Sequence, residues 1–449
     1  MSDCIKKYSM RSVPRYTSYP TAPHFSNAVG VADYEAALAA LDPGEPVSLY
    51  LHVPFCRQLC WYCGCNMKLA TREAPIAQYA RTLEREIALL AEHLPGRMKI
   101  SHLHWGGGTP TALVPDDLER VMGVVGDHFD ILPDAELAIE SDPRTLSDEM
   151  IARIGALGFN RASFGVQEFD PKVQKAINRV QPPEMVARAV NGLRAAGVSG
   201  INFDLIYGLP HQTVETLLET IRLCAELAPD RIALFGYAHV PWAAKKQRLI
   251  DEAALPGAEA RLAQAEAAAE ALTAAGYLAL GLDHFALPKD DLAVAAKNGV
   301  LRRNFQGYTT DQAQTMLGVG ATSIGRTPGA YVQNIAETGA WARSVEAGVL
   351  PVGRGCKLDA DDRLRGAVIE ALMCQGWVDL SDVSARHGVA DGWYAYLEPI
   401  LAEMQRDGLL TYGDGEVRAT EQGLPLIRVI AACFDAYLDM GIARHAVAV

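Results

Sequence analysis

A basic excess is missing from this chain: 41 lysines and arginines stand against 54 aspartates and glutamates, a formal net charge of −13 over 449 residues. General nucleic-acid binding and attachment to anionic membranes need a basic face, so neither is expected. A few arginines in one cleft would still serve an anionic ligand. Long apolar runs are missing too, since none approaches the roughly 18 residues of a bilayer-spanning helix. The stretch from Met1 to Tyr16 holds no apolar core of the kind a secretory signal carries, so a cytoplasmic location is expected. No repeat longer than a strand–helix unit is visible, and no low-complexity stretch apart from the alanine-rich Gly257–Ala275. What remains, 49% hydrophobic and 21% charged, is the composition of an ordinary globule.

Cysteine is sparse outside one place. Cys56, Cys60, Cys63 and Cys65 crowd into ten residues, while Cys4, Cys224, Cys356, Cys374 and Cys433 are scattered and read as small apolar side chains. The Cx3Cx2C spacing of Cys56, Cys60 and Cys63 suits three irons of a cubic [4Fe–4S] cluster, with the fourth iron open to another ligand. Two other readings compete. A structural zinc site would take Cys65 as fourth ligand, although such sites usually draw on two separated pairs. A redox pair at Cys60 and Cys63 would leave Cys56 unexplained.

From Ser48 to His239, short apolar runs alternate with amphipathic stretches. Strands are predicted at Ser48–Phe55, Ile100–Trp105, Glu136–Glu140, Arg161–Val166, Gly200–Ile206 and Arg231–Tyr237. Between them, helices are predicted at Ile76–His93, Pro115–His128, Ser147–Leu157, Pro183–Ala196 and Val214–Leu227. This alternation gives an α/β fold with parallel strands and right-handed crossovers, and six units make a partial barrel. Functional groups are then expected at the carboxyl ends of the strands. The cysteine loop, Gly106–Thr109, Glu140–Asp142, Gln167, Asp204–Gly208 and Ala238–His239 all fall there. Three parts are expected: an N-terminal arm (1–45), the barrel with an extension (46–350) and a mainly helical, winged-helix-like C-terminal domain (351–449). Val13–Phe25 reads as extended arm. The C-terminal part has predicted helices at Ala360–Gln375, Ser381–His387, Trp393–Asp407 and Leu424–Leu438, and a hairpin within Leu409–Arg418 turning at Gly413–Gly415. Without a basic recognition face it is read as a packing or covering element.

Cx3Cx2C after a first β/α strand resembles the radical S-adenosylmethionine superfamily. The likeness narrows at Pro14–Thr21, Tyr50–Cys56, Cys63-Gly-Cys65-Asn66, His104–Thr111, Asp204–Pro210, Asp283–Ala286 and Asn304–Tyr308. These stretches resemble the bacterial oxygen-independent coproporphyrinogen III oxidases, and the likeness runs from Arg15 to about Tyr437. The related haem chaperones lack the extra cysteine and the Arg-Tyr-Thr-Ser-Tyr-Pro arm.

The resemblance implies a [4Fe–4S] cluster on Cys56, Cys60 and Cys63, and two molecules of S-adenosylmethionine. It assigns Tyr50, Tyr62, Gly107, Gly108, Thr109, Glu140, Gln167, Arg179, Asp204, Ala238 and Ile324 to that cofactor, without dividing them between the two molecules. Read from the residues alone, the glycine run is equally a tight turn, and the polar residues an ion-pair network at a barrel mouth. The implied substrate, coproporphyrinogen III, carries four propionates, so Arg15, Arg302 and Arg303 are candidates to pair with them, or else solvated arginines. Tyr19, Gln306 and Tyr308 are candidates for the tetrapyrrole pocket or for packing. His52, on the face of Tyr50, reads as a satisfied barrel histidine, and Cys65 has no assigned role. The implied activity is oxidative decarboxylation of two propionates to vinyls, giving protoporphyrinogen IX. An electron donor and an acceptor, both unidentified, are needed, and a monomer is expected. A haem chaperone, another radical enzyme acting on tetrapyrroles and a zinc-bound module are the alternatives.

Overall fold

The computed structural model describes residues 7–8 and 11–440; Cys4 lies outside them. Two compact units emerge. The larger is built from Ser26–Ala275 and Asp311–Lys357, and the smaller from segments before Ser26, between Gly276 and Thr310, and after Lys357.

In the larger unit, β1 (Val47–Val53), β2 (Lys99–Gly107), β3 (Asp130–Ser141), β4 (Arg161–Gln167), β5 (Gly200–Tyr207) and β6 (Arg231–Gly236) lie side by side in sequence order, all parallel. Helices α1 (Ala74–Glu92), α2 (Pro115–His128), α3 (Asp148–Ala156), α4 (Pro183–Ala195) and α5 (Val214–Glu226) fill the connections, with α6 (Ala258–Ala274) after β6. Local chemistry starts these helices where the chain turns. Ser147 accepts the Met150 N–H to cap α3, and Thr213 exchanges hydrogen bonds with Thr216 ahead of α5.

Alternation along the strands sorts the two faces of the sheet. On β4 and β5, Ala162, Phe164, Val166, Ile201, Phe203 and Leu205 are fully buried. Their neighbours Ser163, Gly165, Asn202 and Asp204 are only half-buried. One face is therefore apolar core and the other polar. Each fully buried aromatic or aliphatic side chain stabilises the fold by roughly 1.5–3 kcal/mol, so the apolar face carries the stability and frees the other for chemistry.

The sheet runs further than six strands. Beyond β1 come β7 (Met316–Val319), parallel to it, then the antiparallel β8 (Ile324–Thr327), β9 (Ala330–Asn334) and β10 (Val352–Lys357). These strands are too short to show a period, which is why the region reads as featureless in sequence. A helix at Val31–Ala39 and a short one at Pro171–Ala176 also escape the sequence reading.

The smaller unit contains a helix at Ala360–Gln375, capped by Asp359 and Asp362 and ended by Gly376 at φ 74°. Its three-stranded sheet includes a hairpin, Leu410–Gly413 with Glu416–Ala419. The predicted last helix, Leu424–Leu438, is corrected: only Ile427–Ala431 is α-helical, flanked by 3-10 turns at Leu424–Leu426 and Ala432–Phe434. Ile427, Arg428, Val429, Ile430, Ala431, Ala432 and Phe434 are all buried; Pro425 has no N–H to donate at the start of the run, and the extended backbone of Asp435 at φ −84°, ψ 108° ends it short of Leu438. Among the described residues no helix is long and apolar enough to cross a membrane.

Candidate active site

The polar face of the larger unit gathers its functional groups towards the carboxyl ends of β1 to β6. Tyr50 and His52, two apart on β1, share that face, and the Tyr50 hydroxyl lies 2.9 Å from His52 Nδ1. Tyr50 stacks on His104 of β2 with ring centroids 5.9 Å apart, and His104 Nε2 lies 3.2 Å from Glu140 Oε1 at the end of β3. Burial pushes the Tyr50 phenol well above its ordinary range, and Glu140 adds to this. It also drives the His52 imidazole down to about 4, so His52 is neutral near pH 7. Tyr50 engages its Nδ1, and Glu140 and a hydrogen bond with the Asn66 backbone act against the burial shift.

Glycines let the cofactor side of the site close up. A Cβ on Gly106 would meet Glu140 Oε1 at 2.8 Å, one on Gly107 would meet His52 Cε1 at 2.7 Å, and one on Gly108 would meet the Phe55 carbonyl oxygen at 2.7 Å. Gly107 also sits at φ 114°, which an L side chain rarely adopts. The Gly107 N–H donates to Glu140 Oε2 at 3.2 Å and the Gly108 N–H to the Val53 carbonyl at 2.9 Å, so β1, β2 and β3 are tied together at this ledge.

Cys56, Cys60 and Cys63 lie on the loop leaving β1, close enough that Cys60 and Cys63 both raise the Cys56 thiol electrostatically. Burial is the larger cause and lifts Cys56 to about 11; binding metal would displace that proton. Thr109 Oγ1 is 3.6 Å from Cys56 Sγ. Cys63 is brought down to about 6, mainly by its hydrogen bond with the Cys65 side chain against burial, with Lys246 assisting; the Cys65 backbone N–H also donates to it at 3.4 Å. Cys60 faces two guanidinium groups: Arg144 Nη2 donates to its sulfur at 3.2 Å and Arg179 Nη1 at 3.4 Å. Asp142 holds both. It is bidentate to Arg144, with Nη2–Oδ2 at 2.6 Å, and 3.4 Å from Arg179 Nη1. Burial would raise the Asp142 carboxyl, yet the two arginines hold it below the usual range.

Gln167 ends β4 at φ 68°, and the Oε1 atoms of Gln167 and Gln181 are buried without partners. Arg179 Nε donates to the Gly165 carbonyl at 3.0 Å. Asp204 lies in register with Gly165 and Ala233 on the neighbouring strands. Tyr62 and Ala238 are bridged by one buried amide: Gln247 Nε2 donates to the Tyr62 carbonyl at 2.7 Å and the Ala238 carbonyl at 3.1 Å. Ile324, on β8, packs its backbone against Gly318, where a Cβ would meet it at 2.8 Å.

These features fit the two cofactors. Three mutually sensing thiols with cations on one of them suit thiolate ligands, orphaned buried amide oxygens await donors, and a ledge without side chains admits a ligand closely. Asp142 falls in the strand-end stretch Glu140–Asp142 that the sequence marks, whereas Arg144, Gln247 and Lys246 carry no motif that sequence reasoning uses. The position of Arg144 two residues after that strand end was the one available signal for it.

The smaller unit brings other candidates together. The Arg303 guanidinium lies 4.4 Å over the Tyr308 ring and donates to the Arg15 carbonyl at 3.3 Å, and its Nη1 is a buried nitrogen without a partner. Asp283, 2.7 Å from His284 Nδ1, is pulled down to about 2 despite burial, by His284, Arg303 and Arg15. Arg302 turns to Glu370 at 2.7 Å. Tyr308 donates to the Met373 carbonyl at 2.7 Å, and the buried Tyr19 hydroxyl accepts the Ala436 N–H at 2.9 Å. Gln306 is exposed, beside Asn304 Oδ1.

Two family descriptions match the chain: the radical SAM superfamily over residues 50–224 and the HemN C-terminal domain over 358–426. The oxygen-independent coproporphyrinogen III oxidase of Bradyrhizobium diazoefficiens is 49% identical over 448 residues, covering 100% of both chains. That of Escherichia coli is 42% identical over 437 residues, 97% of this chain and 94% of the relative. The solved structure of the Escherichia coli coproporphyrinogen III oxidase, described as a radical SAM enzyme, superposes with a TM-score of 0.90 at 39% identity, covering 95% of this chain and 100% of the other.

Proposed function

The chain belongs to the oxygen-independent coproporphyrinogen III oxidases of the radical S-adenosylmethionine superfamily, and from that membership we propose that it makes protoporphyrinogen IX for haem biosynthesis. Two propionates of coproporphyrinogen III are decarboxylated oxidatively to vinyls without oxygen. The observation that carries this reading is the cysteine loop at the end of β1, faced by Arg144 and Arg179 and flanked by the glycine ledge. Family membership favours this reading over the zinc-bound module, since a radical SAM enzyme implies a [4Fe–4S] cluster and S-adenosylmethionine.

When bound, these two cofactors supply a 5′-deoxyadenosyl radical, the group that takes a hydrogen from a propionate β-carbon. The protein's own part is holding, orienting and excluding water. Cys56, Cys60 and Cys63 are the cluster ligands, and Arg144 and Arg179 stabilise the charge on Cys60. Tyr50, Tyr62, Gly107, Gly108, Thr109, Glu140, Gln167, Arg179, Asp204, Ala238 and Ile324 hold S-adenosylmethionine, and two molecules match two reacting propionates. Arg15, Arg302 and Arg303 pair with substrate carboxylates; the unpartnered Nη1 of Arg303 supports its place among them. Tyr19, Gln306 and Tyr308 shape the tetrapyrrole site. The protein works as a cytoplasmic monomer and takes its electrons from a separate donor.

Anaerobic turnover of the cluster-loaded protein with coproporphyrinogen III and S-adenosylmethionine tests the reading. The product mass should fall by two carbon dioxides and four hydrogens. Tight haem binding with no decarboxylation by a protein shown to hold its cluster would instead identify a haem carrier, and a gain of methyl a different radical enzyme.

A further inference from the structure

Three segments of the larger unit meet around the cysteine loop, and together they contain no acidic residue. They are Cys56–Arg72, Pro171–Pro183 and Val240–Ile250, which hold nine lysines and arginines in a chain of net charge −13. Their packing is direct. The Trp61 N–H donates to the Ile177 carbonyl at 3.0 Å, Asn178 Nδ2 to the Leu59 carbonyl at 2.6 Å, and Lys246 Nζ to the Cys65 carbonyl at 3.2 Å. Arg179 is buried in the site, Arg57 and Lys246 are half-buried and Lys68 pairs with Glu337 at 3.6 Å, which leaves Arg72, Lys172, Lys175, Lys245 and Arg248 exposed. Of the acids that flank these segments, Asp170 caps a helix, Asp251 accepts the Ala253 N–H and Glu252 pairs with His239, while Glu73 and Glu184, directly after Arg72 and Pro183, are exposed.

The same segments expose large apolar side chains. Leu69, Val180, Trp242 and Leu249 are 53%, 57%, 58% and 54% exposed. Apolar groups rimmed by charge of one sign mark a docking face, and tryptophan is a favoured anchor. The cysteine loop surfaces among them, with Gly64, Cys65 and Asn66 exposed.

We infer that this basic, acid-free collar is the docking face for a small acidic electron-carrier protein, which reduces the cluster through the exposed tip of the cysteine loop. The inference rests on the cluster reading above. One electron passes from the reduced carrier to the oxidised cluster; the carrier is oxidised by one electron, and no bond forms or breaks. Charge complementarity selects the occupant, because an acidic partner is steered to a local basic face that the chain's net charge would otherwise repel.

The test uses the cluster-loaded protein and an acidic flavodoxin, in its hydroquinone form, as probe. Stopped-flow bleaching of the cluster gives the bimolecular reduction rate, and calorimetry gives the Kd. The double variants Lys172→Glu/Lys175→Glu and Lys245→Glu/Arg248→Glu, none of whose residues touches the cofactor site, are each expected to lose about tenfold or more in rate at low ionic strength and to weaken binding. The wild-type rate should fall steeply with salt and those of the variants should not. Dithionite should reduce all three proteins alike. Unchanged rate and Kd in both variants would overturn the inference, as would a raised KM for coproporphyrinogen III with carrier reduction intact, which would give the face to the substrate. A wild-type cluster that dithionite cannot reduce would refute the cluster reading separately, and the Kd comparison would still judge the collar.

Discussion

Replacing Gly108 by alanine separates the needs of the fold from those of the cofactor. The added Cβ would lie 2.7 Å from the Phe55 carbonyl oxygen and 2.9 Å from its carbon and nitrogen, so it strikes backbone on the strand-to-loop turn that leads into Cys56. Neither side can rotate away, because the Gly108 N–H is anchored on the Val53 carbonyl at 2.9 Å. Relief requires several tenths of an ångström of backbone shift, and overpacking of this kind costs about 1–3 kcal/mol. In a chain this long such a loss lowers Tm by only a few degrees, about 2–4 °C per kcal/mol even at half the size. Cluster ligands are far less tolerant, since metal–ligand distances hold to about 0.2 Å. Gly108→Ala should therefore melt close to the wild type yet retain well under half the iron after anaerobic reconstitution, read by iron and sulfide assay. Gly123→Ala is the control: its Cβ would meet nothing within 4 Å on α2, and it should stabilise by about 0.5–1 kcal/mol. Full iron content and normal S-adenosylmethionine cleavage in Gly108→Ala would refute the reasoning.

Serine at Cys56, Cys60 or Cys63 should abolish the cluster absorbance, whereas Cys65→Ser should keep it; the opposite pattern for Cys65 and Cys56 would overturn the ligand assignment. Arg144→Met leaves Asp142 with the residue-144 backbone N–H and, as its one ion-pair partner, Arg179 at 3.4 Å; breaking a buried pair costs about 3–5 kcal/mol, so denaturant melts should show a large loss that Arg144→Lys partly restores. Glu86 accepts from the Gly320 N–H, Trp341 Nε1 and Asn334 Nδ2, but burial outweighs these bonds and lifts its carboxyl from 4.5 to about 7. The folded state then holds the proton more tightly than the unfolded one, so this group's contribution is full below pH 4.5 and is lost as pH rises through 7, by about 3 kcal/mol at 1.36 kcal/mol per unit. Melts of Glu86→Gln against the wild type from pH 5 to 8 should isolate that slope, and parallel pH profiles would disprove it.

How much of this fold was legible depended on the length and period of each element. β4 and β5 alternate cleanly, and α1 to α5 present one apolar stripe each, so their positions are readable to within a few residues. β7 to β10 are four to six residues long and carry glycine, arginine and asparagine, so no period identifies them. They are held by tertiary pairing, with Met316 to Val319 set against Ser48 to Leu51, a partnership far apart in sequence. The same applies to the amino-terminal end of the polar face. There Asp311 bonds both Ser48 and His102, while Glu136 pairs with Arg161 at 2.8 Å. Burial would raise the Glu136 carboxyl, but Arg161, Arg231 and His102 hold it at about 2. Each of these residues alone looks like an ordinary surface charge.

The site divides along a similar line. Where a group's position follows from a strand end, as with Glu140, Gln167 and the glycine ledge, the β/α pattern alone puts it on the right element. Arg144 and Gln247 follow from no pattern, because each acts across a loop whose path only packing decides. Gln247 sits in a 3-10 turn yet joins the Tyr62 and Ala238 carbonyls, tying the cysteine loop to the exit of β6. An amide that donates to both carbonyls, and accepts the Val240 N–H at 2.6 Å on its oxygen, cannot be replaced by glutamate without turning an acceptor towards two acceptors. One of the ties on the cysteine loop therefore comes from a residue nearly two hundred positions away that has no chemistry of its own. That is also why the loop's spacing reveals which atoms bind iron, but not what holds them in place.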